Sequence, residues 1–289
     1  MITRFSSYSD YLPRGNMLPS FERFISERQY LQNVTPATVE WYKQSLHYLP
    51  CETPTQDQLK AVVMRMREAG RKATGCNSAG RCINAYLKWS GSPLKIPLLK
   101  EPQIVLPTFT PQQVRLLVTW RPKGTYQKRL HLLTLLLLDT GCRITETLTL
   151  RVKDADLENM LVTLDGKGRK QRVVPFSFEL RKALYRHGKE QGSRPDALLF
   201  ATRTHTALAR LNVLRDVKLL CRRLGFEPPA RTLHSFRHTF AVNYLRRGGS
   251  VFHLQKVLGH STLEMTRRYA NLMTEDLQAV HERVSLLTP

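Results

Sequence analysis

The sequence predicts a mainly α-helical protein with a small antiparallel β-sheet, laid out as two domains. Three features carry that prediction. Apolar residues recur at helical spacing through most of the 289-residue chain. Two short β-type runs, 157–164 and 171–176, flank Asp165-Gly166-Lys167-Gly168, a hairpin-turn sequence. Pro93, Pro97, Pro102 and Pro107 crowd a stretch where a helix cannot continue, which reads as an extended connection.

The first domain, 15–98, reads as helical. Thr35-Pro36-Ala37-Thr38 opens a helix with Val39, Tyr42, Leu46 and Leu49 on one stripe. A second starts within Thr55-Gln56-Asp57-Gln58-Leu59, with Thr55 and Asp57 as cap candidates and Leu59, Val62, Val63 and Met66 as its apolar side. A third covers 77–89, with Ile83, Tyr86, Leu87 and Trp89 apolar and Arg81 and Lys88 basic. Such stripes by themselves describe a helical bundle of any purpose. Residues 99–107 form the linker. The second domain, 108–289, opens where Thr110 caps a helix that has Pro111 at its first position. Helices are expected near 111–119, 126–140, 144–150, 178–188, 208–224, 234–247, 251–258 and 262–270, with the hairpin among them. A last amphipathic segment, 275–287, carries Leu277, Val280, Val284 and Leu287. It suits docking on a neighbouring molecule and packing on its own domain equally.

Hydrophobic residues make up 42% and charged residues 24% of the chain, a globular balance that argues against a disordered or fibrous protein. The charge is less ordinary: 45 Lys+Arg against 23 Asp+Glu give +22. A surface this basic attracts polyanions, either nucleic acid or anionic membrane. Both parts share the excess, with 14 basic and 8 acidic residues over 1–105 (+6) and 31 against 15 over 106–289 (+16). Membrane is the weaker of the two. The strongest apolar run, 130–138, is nine residues broken by His131 and Thr134, against about 20 needed to span a bilayer. The N-terminus has no apolar core of a signal peptide. The five cysteines include no C-x-x-C pair, which indicates neither a zinc ribbon nor a disulfide framework and fits a reducing, cytoplasmic setting.

Four local segments carry chemistry, each with a bland counterpart. Thr140-Gly141-Cys142-Arg143 presents a guanidinium after a glycine turn, where pairing with Glu146 on the surface is the plain alternative. Gly166-Lys167-Gly168-Arg169-Lys170-Gln171-Arg172 gathers four cations around one hairpin, which suits a DNA backbone but also a solvated turn. His234 and Arg237, three apart on a helix, share a face and form a plausible phosphate site with a proton acceptor, although H-x-x-R also arises by chance. In Leu258-Gly259-His260-Ser261, Ser261 and Glu264 make a capping-box pattern opening a helix that ends near Arg267, Arg268 and Tyr269. A lone tyrosine there is ordinarily packing.

In this order and spacing the four segments resemble the tyrosine recombinase (phage integrase) family, firmly over 108–289 and more loosely over 15–98. Arg143 matches the first family arginine in its T-G-x-R-x-x-E setting, and Lys167 the hairpin lysine. His234 and Arg237 match the H-x-x-R box, His260 the L-G-H motif, and Tyr269, nine residues on, the nucleophile. The size resembles the Xer-like and simple transposon or integron branch. The resemblance implies a two-domain clamp on duplex DNA that forms a 3′-phosphotyrosyl intermediate without cofactor, metal or ATP. It also implies exchange of strands through a Holliday junction in a homotetramer on two paired inverted-repeat sites. In those roles His234 is the candidate base for a phenol that is almost wholly protonated at pH 7. Arg143 and Arg237 stabilise charge on the phosphate, His260 adds a hydrogen bond, and Lys167 protonates the leaving 5′ oxygen. Arg169, Lys170, Arg172, Arg267 and Arg268 are expected to hold the DNA backbone, with Lys43, Arg81 and Lys88 contributing from the first domain. The setting implied is cytoplasmic, on the nucleoid of a prokaryote. Two alternatives stay open: a DNA-binding regulator that has lost cleavage, and a topoisomerase-like enzyme that relaxes supercoils.

Overall fold

The structure, a computed structural model, describes residues 17–102, 106–166, 171–191, 194–270 and 281. The chain divides into two compact units, Met1–Ile104 and Val105–Pro289.

The first unit contains helices α1 (Pro19–Tyr30), α2 (Pro36–Leu46), α3 (Gln56–Glu68) and α4 (Ala73–Trp89) among the described residues. Thr35 caps α2 by accepting from the Thr38 N–H. Thr55, rather than Asp57, caps α3, in a reciprocal box with Gln58. The α4 helix starts four residues before the predicted 77, and α1 has no separate counterpart in the sequence reading. The core is aromatic: Phe21, Phe24, Tyr42, Tyr86 and Trp89 meet largely edge to face. The proline-dense stretch departs from a free linker. Asn84 clasps the Ile96 backbone, donating to its carbonyl (2.9 Å) and accepting from its N–H (2.7 Å). Asn77 does the same for Leu99, at 2.8 and 2.7 Å. Proline keeps the stretch out of helix and sheet, so these two amides satisfy backbone groups that Ile96 draws into the core.

The second unit runs α5 (Pro111–Thr119), α6 (Gly124–Thr140), α7 (Ile144–Thr149), a 3-10 turn (Val152–Asp154), β1 (Ala155–Asp156), β2 (Leu161–Asp165), β3 (Gln171–Pro175), α8 (Phe178–Gln191), α9 (Arg210–Arg223), α10 (Thr232–Arg246), α11 (Val251–Leu258) and α12 (Leu263–Ala270). The strands form an antiparallel sheet in the order β1-β2-β3, with Leu164 opposite Arg172. The predicted first strand starts late, because the Asp156 carboxylate accepts from the Glu158 and Asn159 N–H groups and makes a turn. The capping-box expectation also shifts: α12 opens at Leu263, and the Ser261 hydroxyl lies 3.9 Å from the Met265 sulfur. Leu133, Leu136 and Leu137 put α6 in the middle of the core. That helix ends at Gly141, whose φ of +61° is left-handed. A Cβ there would sit 2.3 Å from Phe240 on α10, so only glycine allows the two elements to close. No helix of the described residues is long and apolar enough to cross a membrane.

Candidate active site

The glycine turn after α6 delivers Arg143 to the start of α7. Its backbone N–H donates to Glu146 Oε2 and its guanidinium to Glu146 Oε1, both at 2.8 Å. The expected surface pair is thus half right, because Glu146 is buried while the Arg143 side chain keeps about a third of its exposure, 32%. Burial alone would raise the Glu146 carboxyl, but hydrogen bonds from Arg172 and from the Arg143 backbone and side chain pull it down to about 2.

Helix α10 supplies three groups, His234, Arg237 and His238. Arg237, only 6% exposed, donates to the Gly141 carbonyl (2.9 Å) and the Leu258 carbonyl (2.6 Å), so it is pinned between the C-terminal ends of α6 and α11. Burial and the nearby Arg143 lower it to about 10, which leaves it charged at pH 7. One turn of helix separates His234 from His238, with ring centroids 6.5 Å apart. His234 is exposed. What water it does lose, followed by the Arg210, Arg231, Arg237 and Arg143 charges, lowers its pKa. His238 Nδ1 stands 3.0 Å from the Tyr269 hydroxyl. Burial, then His234 and the arginines at 237 and 231, push His238 down to about 4.

Gly259 ends α11 in the left-handed region and turns the chain into His260. His260 Nδ1 lies 2.9 Å from the Thr266 hydroxyl, and its ring lies parallel to that of Tyr269, at 4° and 6.2 Å. Burial first, then Arg237 and Arg143, hold His260 at about 4. Tyr269 on α12 is 4% exposed. Arg143, Arg237, His260 and Tyr269 therefore meet around two helix ends, with His234 on the outer side of α10.

The remaining expectations divide. Lys167, Arg169 and Lys170 lie outside the described residues, as does 275–287 except for His281. Of Arg268 only its place in α12 is described. Arg267 is exposed, 3.7 Å from Glu264. Lys43, Arg81 and Lys88 are exposed on α2 and α4, and Arg81 reaches Glu101 at 3.5 Å. Arg172 is a correction. Its side chain, expected on the DNA backbone, is only 12% exposed and forks onto Glu146 at 2.8 and 2.7 Å. The signal was available: on a strand, Arg172 shares a face with buried Val174 and with Leu164 opposite it. His238 was missed as well, although it stands four residues after His234 on the same helical face. Among the described residues no cluster of three His, Cys, Asp or Glu is placed to hold a metal ion.

Comparison with known proteins bears on the whole chain. Residues 107–276 match the model of the phage integrase family. The tyrosine recombinase XerA of Pyrococcus furiosus is 27% identical over 282 residues, covering 95% of this chain and 96% of the relative. XerA of Thermococcus kodakarensis is 29% identical over 228 residues, covering 77% and 79%. In fold, the Tn1549 transposon integrase, solved in complex with transposon right end DNA, superposes with a TM-score of 0.74 at 20% identity, over 93% of this chain and all of that one (100%). With a family match that spans the whole arrangement from Arg143 to Tyr269, the chain belongs to the phage integrase family and is a site-specific tyrosine recombinase, exchanging DNA strands through a phosphotyrosine intermediate.

Proposed function

We propose that Tyr269 is the nucleophile of this recombinase and that Arg143, Arg237, His260 and His238 form its phosphate site, with Lys167 as the acid. The observation that carries the reading is the Tyr269 hydroxyl held 3.0 Å from His238 Nδ1 beside the ring of His260. With Nε2 protonated, Nδ1 of a neutral His238 accepts the phenolic hydrogen. As the phenol oxygen attacks phosphorus, that proton passes to His238, the bond from phosphorus to the 5′ oxygen breaks, and Lys167 protonates the departing oxygen. A 5′ hydroxyl of the partner strand then attacks the phosphotyrosyl ester, giving its proton to the now neutral Lys167, and the phenol leaves with its proton returned by His238. No water enters, so the ester keeps the bond energy for rejoining. Arg143 and Arg237 face the negative charge that grows on the non-bridging oxygens, and Arg237 is held rigid in advance by two carbonyls. His234, the base expected from the sequence, stands one turn away with its ring 6.5 Å from that of His238, which takes that role in this reading.

In this reading both units hold duplex DNA, Lys43, Arg81 and Lys88 from the first and Arg169, Lys170, Arg267 and Arg268 from the second. Four copies work on two paired inverted-repeat sites, in the nucleoid of a prokaryotic cytoplasm. The test is covalent trapping on fragmented source DNA followed by sequencing of protein-linked ends. Wild type gives ends at one short inverted repeat and Tyr269→Phe gives none, while both bind equally. Equal trapping by the two proteins refutes Tyr269. Ends scattered over the DNA point to a relaxing enzyme instead.

A further inference from the structure

Arg172 sits where three parts of the site converge, its side chain only 12% exposed. Glu146 Oε1 accepts from the guanidiniums of both Arg143 and Arg172 at 2.8 Å. Glu146 Oε2 accepts from the Arg143 backbone N–H at 2.8 Å and from Arg172 at 2.7 Å. The third side of the Arg172 fork, Nε, donates to the Val257 carbonyl at 2.9 Å, in the last turn of α11. Its plane then lies against Gly259, where a Cβ would stand 3.0 Å from Cδ and 3.1 Å from Nε. The glycine before His260 is thus needed twice, for its φ of +64° and for the guanidinium on its surface. The adjoining Leu258 carbonyl is the one that holds Arg237.

From this arrangement we propose that Arg172 is a positioning residue of strand cleavage: through Glu146 and the turn at 257–259 it fixes Arg143 relative to Arg237 and His260. The proposal rests on the reading of Tyr269 and Arg143 given above. It differs from a DNA contact in what it asks of the side chain. A backbone contact needs a cation, which lysine supplies. The bridge needs a planar fork that meets a carboxylate on one edge and a carbonyl on another, which lysine cannot form.

The experiment uses the full chain, Arg172→Lys and, as an isosteric second variant, Glu146→Gln. Each is read for DNA affinity across salt and for the rate of Tyr269-dependent attachment. Two substrates are compared, one with a normal scissile phosphate and one with a methylphosphonate there. Affinity and its salt slope are expected to stay as in wild type, while attachment to the phosphodiester slows by about 10²-fold, the scale of a misplaced catalytic group. The neutral methylphosphonate places less charge before the arginines, so on it the gap to wild type shrinks. The double variant is expected to be no slower than the worse single one, because both act in one network. A wild-type rate for Arg172→Lys overturns the proposal. So does weaker binding with a shallower salt slope in a third variant, Arg172→Gln, because loss of the cation then acts as loss of a backbone contact. An equal slowing on both substrates also overturns it, because a general loss of fold does not distinguish the two phosphates. If Arg172→Lys does not fold, Glu146→Gln carries the same comparison. If wild type itself forms no Tyr269-dependent adduct, the active-site reading falls, and this role with it.

Discussion

The two units bury polarity in opposite ways. Among the described residues of the first, the fully buried polar side chains, Ser45 and Asn77, are neutral. Asn77 is buried and matches both backbone groups of Leu99, and Asn84 matches those of Ile96. In the second, the groups drawn inside include charges, Glu146, Arg237 and Arg172, beside the imidazoles of His238 and His260. A neutral amide facing an amide loses little on leaving water. A carboxylate or guanidinium loses several kcal/mol, and only geometry with multiple hydrogen bonds offsets it. Cations removed from water and fixed in place serve phosphoryl transfer, because they need not reorganise as charge builds up. The unit that carries this cost is the unit that holds the proposed active site.

The largest expected effect separates the two kinds of interior directly. Glu146→Ala leaves Arg143 and Arg172 without their carboxylate, and breaking a buried pair costs about 3–5 kcal/mol. Phe24→Ala removes the centre of the aromatic core and costs about 3–5 kcal/mol as well. Urea denaturation reads both as comparable losses. Attachment per folded, DNA-saturated molecule then tells them apart: Glu146→Ala is expected to abolish it and Phe24→Ala to leave it unchanged. Equal loss of attachment in both would break the contrast between chemical and purely structural burial.

A second effect, smaller and confined to acid, follows from the imidazoles. His238 and His260 are both lowered to about 4 from the ordinary 6.5. The folded state holds them neutral, so below pH 6.5 the unfolded chain binds more protons. Their contribution to stability is full above about 6.5, declines as pH falls and is gone near 4. Glu146, at about 2 against 4.5, adds a further loss between those values. Stability measured from pH 7 to 4 is therefore expected to slope downward. The variant carrying His238→Gln and His260→Gln flattens that slope, and an unchanged slope would place the proton uptake elsewhere.

Much of this was legible in the sequence, and the misses share one cause. The caps at Thr35, Thr55 and Thr110 act within four residues of themselves, so local pattern was enough to find them. The motifs around Arg143, His234, Arg237, His260 and Tyr269 were visible because each is a short string. The proline-dense stretch reads from the sequence only as an extended connection, because the partners of Ile96 and Leu99, Asn84 and Asn77, lie 12 and 22 residues away on another element. Helix α1 gave no clear stripe because it buries only Phe21, Phe24 and Ile25 and leaves Tyr30 exposed. Arg172 was assigned to DNA by the charge of its neighbourhood, whereas the alternation of its own strand turns it inward, toward a carboxylate 26 residues earlier. Composition states how many charges there are. Only the period of the element states which way one points.

The smallest effect tests whether charge pairing as such matters in this protein. Lys60 and Asp57 on α3 form an ion pair at 3.0 Å, as short as a good salt bridge, yet their side chains are 61% and 90% exposed. Water competes for both partners, salt screens them, and ordering two long side chains costs entropy, so an exposed pair contributes about 0–1 kcal/mol. Alanine also has the better helix propensity, by a few tenths of a kcal/mol. Lys60→Ala is therefore expected to change stability by less than about 0.5 kcal/mol and to leave attachment unaltered. A loss of about 2 kcal/mol or more would show that surface pairs in the first unit act as the buried ones do in the second. The difference between the units would then lie in where their charges sit and not in what burial does to them.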